Sequence, residues 1–160
     1  MVENSSRSLL WIDDDAPDRF RHEYRLISRQ GWKITWATSA SAGAELLRDQ
    51  AFTAVILDQM LPWTGGMPGK GSEEVWAGCF LLYWLRNKNR PSKAPPRKDF
   101  ELLSAMRPLA TNRKVSVILS SAYFDDEVMT AFTEVEPGLQ ELPKPIDLDR
   151  LLEIFGSLAH

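Results

Sequence analysis

The sequence predicts an α/β fold in which a five-stranded parallel sheet carries helices on both faces. One reason is that segments favouring strands alternate with amphipathic segments favouring helices about five times along the 160 residues. A second reason is that predicted strands such as LLWI and AVIL are apolar at every position, which is typical of parallel strands buried on both faces. In such doubly wound sheets, ligands bind beyond the carboxyl ends of the strands.

Each element has its own local signal. Strands are predicted where short apolar or alternating runs end at turn residues, at 8–12, 32–37, 54–57, 115–119 and 139–142. Helices are predicted where apolar residues recur at helical spacing, at 20–27, 41–50, 75–86, 128–135 and 148–158.

The region 62–114 departs from this alternation, because about fifty residues stand where one short helix and two loops would suffice. It contains the glycine-rich stretch 64–72, TGGMPGKGS, which we expect to be mobile. The stretch 86–98 holds six basic residues, three prolines and no acidic residue, which fits either a solvated loop or a phosphate-binding or partner-binding surface. A short helix is predicted at 99–106. With no repeats and no second core, residues 1–160 are predicted to form a single domain carrying an insertion.

Composition narrows the functional classes. The one cysteine, Cys79, allows no intrachain disulfide and favours a reducing compartment. Neither a signal peptide nor a run of about 18 apolar residues is present, so we expect a cytoplasmic protein without membrane contact. The formal net charge of −3 gives no indication of nucleic-acid binding, and nucleic acid is not an expected partner.

Polar residues follow the predicted strands at the points where the strands end. Asp13 and Asp14 follow the first strand, Asp58 the third, Ser121 the fourth and Lys144 the fifth. Because parallel strands end at a common edge, these side chains are expected to converge.

The predicted cluster has a definite chemistry. Carboxylates that lie close together repel one another. A bound Mg²⁺ would offset this repulsion with its positive charge, and it prefers oxygen ligands. A bound cation would let a phosphoryl dianion approach Asp58, which could act as a nucleophile and form an aspartyl phosphate. Lys144 and Ser121 are placed to balance the remaining phosphoryl oxygens. The alternative with no role in chemistry is that Asp13–Asp15 form only a turn and a helix cap.

Four motifs in order carry a family resemblance: LLWIDDD, AVILDQMLP, SVILSSAY and LPKPID. The chain resembles the receiver domain of response regulators, the phosphoacceptor of two-component signalling, which has a flavodoxin-like fold. The resemblance implies that Asp58 accepts the phosphoryl group and that Lys144 contacts it. It also implies that Asp14 and Asp58 bind Mg²⁺ directly with the backbone carbonyl of Met60, while Asp13 acts mainly through water.

The resemblance assigns further roles and shows two departures. Ser121 matches the switch hydroxyl, and Met60 and Tyr123 match the two positions that modulate dephosphorylation. Glu141 stands where the family usually has an aromatic switch residue, which leaves the usual aromatic–hydroxyl coupling without its residue unless Tyr123 or Phe124 substitutes. The glycine that follows the third strand in the family corresponds to one of two residues here, Gly66 or Gly78.

The resemblance implies a function with defined partners. The phosphoryl donor would be a sensor histidine kinase or a histidine phosphotransfer protein, and the output would be a changed surface that binds a downstream protein. Homodimerisation, common in that family, stays open. One alternative is a pseudo-receiver that binds without being phosphorylated. Another is a haloacid-dehalogenase-like phosphatase, with Asp147 and Asp149 as further metal ligands.

Overall fold

A computed structural model describes residues 6–63, 74–94 and 98–158. The strands found in these ranges are β1 (Arg7–Ile12), β2 (Trp32–Ala37), β3 (Ala54–Leu57), β4 (Ser116–Leu119) and β5 (Gln140–Glu141). The α-helices found there are α1 (Arg21–Arg29), α2 (Ala40–Asp49), α3 (Ala77–Leu85), α4 (Lys98–Ser104), α5 (Asp126–Val135) and α6 (Leu148–Leu158). The predicted elements are present with slightly shifted ends. The predicted mobile stretch 64–72 lies outside the described residues. None of the helices within the described ranges has the length and apolar character needed to cross a bilayer.

The strands form one parallel sheet in the order β2-β1-β3-β4-β5, which is a doubly wound arrangement and confirms the predicted fold class. The register aligns the carboxyl ends of the three central strands. Ile12 at the end of β1 lies opposite Leu57 at the end of β3, and Leu57 lies opposite Leu119 at the end of β4. The residues that follow these strands are therefore brought to one edge.

Two apolar layers cover the sheet, one on each face. On one face, α1 and α6 pack through Ile27 and Phe155 against alternate strand residues such as Trp11. On the other face, α2, α3 and α5 pack against the intervening strand residues, with Phe80 and Phe132 fully buried. Both faces of the central strands are thus apolar, which explains why β1 and β3 read as continuous apolar runs.

The part of the insertion that the structure describes packs on α3. The ring of Phe100 in α4 lies 5.3 Å from that of Phe80, and Leu103 is 2% exposed. The indole N–H of Trp84 donates to the carbonyl of Met106 at 3.0 Å. The insertion therefore extends the core on this face of the sheet.

One buried polar side chain ties the insertion to the loop before β3. The Asn112 carbonyl oxygen accepts from the Phe52 N–H at 2.9 Å, and its amide nitrogen donates to the carbonyls of Leu47 and Gln50 at 2.8 and 2.6 Å. We expect Asn112→Ala to lower the free energy of unfolding by about 2 kcal/mol, because it leaves the buried Phe52 N–H without its partner and removes the bond to the Gln50 carbonyl. Urea denaturation checks this against the exposed Asn89→Ala control, expected within about 0.5 kcal/mol of wild type. Equal losses in the two variants would contradict it.

Candidate functional site

The aligned strand ends form one wall of an open cleft of about 520 Å³. Asp14, Asp58, Ser121 and Lys144 line this cleft, and Asp13 lies buried beside them. The convergence predicted for these residues is therefore observed. It follows from the level ends of β1, β3 and β4 and from the pairing of β5 beside β4.

Lys144 bridges two buried carboxylates. Its Nζ lies 2.6 Å from Asp13 Oδ2 and donates to Asp58 Oδ2 at 2.7 Å. The other oxygen of Asp13 accepts from the Asp15 N–H at 2.9 Å, and the other oxygen of Asp58 accepts from the Met60 N–H at 3.2 Å. Asp13 is thus held by two close contacts, whereas the bond from the Met60 N–H to Oδ1 of Asp58 is longer.

The three carboxylates suit a hard cation. Oxygens of Asp13, Asp14 and Asp58 lie within 4.8 Å of one another. Burial, reinforced by the charge of Asp13 and opposed by that of Lys144, raises the pKa of Asp58 to about 6. Burial, together with the charges of Asp13 and Asp15, also raises the pKa of Asp14. Three carboxylates facing one ammonium leave excess negative charge on oxygen donors, so this donor set fits Mg²⁺ or Ca²⁺.

The ammonium of Lys144 is kept charged by its neighbours. Burial acts to lower the pKa of Lys144, but the carboxylates of Asp58 and Asp13 together raise it above its ordinary value. The ring of Phe20 lies 5.6 Å from Nζ and adds a cation–π contact. Sequence reasoning missed this role of Phe20, because the residue also fits the apolar stripe of the first predicted helix.

The Ser121 hydroxyl sits in the cleft, where its hydrogen bonding to Asp58 acts to lower the pKa of that carboxyl, and it also bonds the backbone of Tyr123. It donates to the Tyr123 carbonyl at 2.9 Å and accepts from the Tyr123 N–H at 3.4 Å. The Tyr123 and Met60 side chains are 57% and 37% exposed and flank the cleft mouth. Glu141 is exposed at the end of β5, so its carboxylate is solvated.

Gly78, at the start of α3, lies in close contact with the residues that follow β3, Asp58 and Gln59, called here the Asp58 loop. Its N–H donates to the Gln59 carbonyl at 3.2 Å, and a Cβ at this position would lie 2.2 Å from the Asp58 carbonyl oxygen. Only a residue without a side chain fits this approach. Gly66, the other candidate for the glycine after the third strand, lies outside the described residues.

The acidic residues near the chain end do not join the described cluster. The Asp147 carboxylate accepts from the Arg150 N–H at 3.0 Å at the start of α6, and Asp149 is exposed in its first turn. The observed cluster is completed by Asp58 instead. The phosphatase reading required Asp147 and Asp149 as ligands and left Asp58 without a role, so this arrangement does not support it.

Comparison with solved structures identifies the fold of this chain. No family model and no curated protein matches the sequence. Many solved structures do, among them a CheY-like response regulator receiver domain protein from Methanospirillum hungatei, at 19% identity, a TM-score of 0.61 and coverage of 97% of this chain and 95% of that one. The signal receiver domain of an HD domain-containing protein from Pseudomonas fluorescens gives 16% identity, a TM-score of 0.64 and coverage of 96% and 94%.

A third match carries information about chemistry. A response regulator protein from Burkholderia pseudomallei, solved with a phosphorylated aspartic acid, a calcium ion and citrate, gives 15% identity and a TM-score of 0.53. The match covers 91% of this chain and 64% of that one. On its strand order, its element order and these likenesses, the chain has the fold of response regulator receiver domains.

Proposed function

We propose that this chain is a phosphoacceptor receiver domain that takes a phosphoryl group onto Asp58, with Mg²⁺ as cofactor. The observation that carries the proposal is the Asp58 carboxylate, held by Lys144 at 2.7 Å within a cluster of three carboxylates at the carboxyl edge of the sheet. The phosphorylated aspartic acid and calcium ion of the Burkholderia response regulator support the same chemistry for this fold. The donor is a sensor histidine kinase or a histidine phosphotransfer protein, and the transfer takes place in the cytoplasm.

The reaction begins with attack on phosphorus by an oxygen of Asp58. An O–P bond forms, the P–N bond to the donor histidine breaks, and the electron pair of that bond returns to the imidazole, which takes up a proton. Oδ1 is the better placed oxygen, because its 3.2 Å bond from the Met60 N–H is longer than the 2.7 Å bond that Lys144 donates to Oδ2. Asp13, Asp14, Asp58 and the Met60 carbonyl would hold Mg²⁺, which would supply positive charge for the approach of an anionic phosphoryl group.

Two side chains stabilise the transferred group. Lys144 turns an N–H from Asp58 to a phosphoryl oxygen while its contact with Asp13 keeps the ammonium in place. The Ser121 hydroxyl leaves the Tyr123 carbonyl and donates to a second phosphoryl oxygen. Met60 and Tyr123, at the cleft mouth, control how water reaches the aspartyl phosphate.

The output is a change in the surface next to Ser121, which a downstream protein reads. Because Glu141 is a solvated carboxylate, it cannot follow the hydroxyl into an apolar site as an aromatic side chain would. Tyr123 is directly coupled to Ser121 through its backbone and is exposed, so we assign the mobile aromatic role to Tyr123.

Acetyl phosphate and intact-mass spectrometry test the proposal. We expect the wild type to gain the mass of one phosphoryl group with Mg²⁺ and none with a chelator, and we expect Asp58→Ala to gain none. The exposed Asp18→Ala variant is the matched control and should behave as wild type. No gain under any condition would favour the pseudo-receiver. Hydrolysis of a generic phosphate ester that persists in Asp58→Ala would favour a hydrolase.

A further inference from the structure

A second cleft, of about 470 Å³, lies between the end of α3 and the chain that leaves α4. It shares no lining residue with the acidic cleft among the described residues. Among the residues that the structure describes, its lining includes four cationic side chains and no carboxylate, the cations being Lys88, Arg90, Arg107 and Arg113. The insertion therefore builds a concave, strongly basic surface on a chain whose net charge is −3.

Within the described ranges, these four cations have no compensating carboxylate in an ion pair. Arg113 Nε is buried without a hydrogen-bond partner in the same ranges, and Arg90 makes only a 3.4 Å bond to the Ala94 carbonyl. The adjacent Arg86, by contrast, is paired with Glu136 at 2.7 Å. Like charges held close together repel, and an anion in the cleft would relieve that repulsion.

The walls of the cleft are firm and partly aromatic. Trp84 and Phe100 line it, and both are fixed, Trp84 by its hydrogen bond to Met106 and Phe100 by its contact with Phe80. Asn89 adds an amide that can both donate and accept. A concave site with a few convergent polar groups and apolar walls suits a compact ligand better than an extended one.

We propose that this cleft binds a small molecule that carries two or more phosphate groups. Arginine presents planar N–H pairs that match phosphate oxygens, and lysine adds a point charge. Since each phosphate carries about one and a half to two negative charges, two or three phosphates balance four cations. The aromatic wall leaves room for a ring attached to the phosphates. The chemistry of this site does not require a phosphoryl group on Asp58, because the two clefts share no described lining residue.

Isothermal titration calorimetry of the full chain tests the proposal, with inorganic pyrophosphate, inorganic tripolyphosphate and ATP as probes and a chelator present so that the acidic cleft carries no cation. We expect wild type to bind pyrophosphate, with an affinity that falls as salt rises. The double variant Lys88→Gln/Arg107→Gln removes two exposed cations and should bind roughly tenfold more weakly or worse. Tighter binding of ATP than of inorganic tripolyphosphate, which has the same number of phosphates, would assign a contribution to the aromatic wall, and equal binding of these two would assign the site to the phosphates alone.

A charge-matched control distinguishes binding in the cleft from nonspecific attraction of anions to the positive charges of the protein. Arg29→Gln/Lys33→Gln removes two exposed cations at α1 and β2 and should change the affinity less than about twofold. An equal loss in both double variants would overturn the proposal, as would no binding of any of the probes at millimolar concentration. Loss of binding in Asp58→Ala would place the ligand in the acidic cleft and overturn it too. Binding of poly-glutamate without binding of pyrophosphate would overturn it in favour of an acidic protein segment.

Discussion

Replacing Gly78 by alanine is expected to lower the free energy of unfolding by about 2 to 3 kcal/mol and to impair phosphorylation at Asp58. The added Cβ would lie 2.2 Å from the Asp58 carbonyl oxygen and 3.0 Å from backbone atoms of Gln59. These neighbours are backbone atoms at the end of a central strand, so the clash cannot be relieved by rotating a flexible side chain. Either α3 moves away from the sheet or the Asp58 loop shifts.

Gly156 in α6 provides the matched control for this prediction. A Cβ at Gly156 would meet no heavy atom within 4 Å, so Gly156→Ala should gain up to about 1 kcal/mol from helix propensity. Urea denaturation followed by circular dichroism measures both variants, and labelling with acetyl phosphate reports on Asp58. If Gly78→Ala were as stable as Gly156→Ala, the close contact between the start of α3 and the Asp58 loop would be contradicted.

The sheet and the acidic cluster were predictable because both depend on local patterns. Fully apolar strands indicate burial on both faces, and parallel strands of equal register must end at one edge. Asp13 and Asp58 follow such strands directly, and Lys144 lies three residues beyond β5 at the same edge, so their meeting could be expected from the sheet alone. Their individual contacts did require the fold, because the two-way bridge by Lys144 depends on how the chain turns after β5.

Other features depend on tertiary packing and left no unambiguous signal in the sequence. Gly66 and Gly78 could not be distinguished, since the insertion makes spacing from Asp58 uninformative. Phe20 fits a helical apolar stripe whether or not Lys144 lies over its ring.

The basic stretch 86–98 likewise allowed either a solvated loop or a binding surface. Lys88 belongs to that stretch, whereas Arg107 and Arg113 are distant from it in sequence. The packing of α4 against α3 brings all three to one cleft. Such a contact between distant segments cannot be read from a local pattern.

Replacing Lys144 by methionine is expected to lower the free energy of unfolding by about 3 kcal/mol at neutral pH in a chelating buffer. Methionine keeps much of the length of the side chain but removes the cation that lies 2.6 Å from Asp13 and 2.7 Å from Asp58. Both carboxylates are buried, at 0% and 5% exposure, so they would be left without a compensating charge. Partial protonation of Asp58, whose pKa is already raised to about 6, would limit the loss.

The effect of Mg²⁺ on stability makes this prediction specific to the acidic cleft. A cation held by the three carboxylates replaces the missing ammonium charge, so added Mg²⁺ should stabilise Lys144→Met more than it stabilises wild type. Urea denaturation with Mg²⁺ and with chelator measures the difference, and the exposed Lys33→Met variant should show the wild-type response to Mg²⁺. A Lys144→Met protein that is as stable as wild type in chelator would show that Asp13 and Asp58 do not need this ammonium. If the variant instead loses stability and Mg²⁺ restores none of it, the three carboxylates do not form a cation site, and the proposed phosphoryl transfer loses its cofactor.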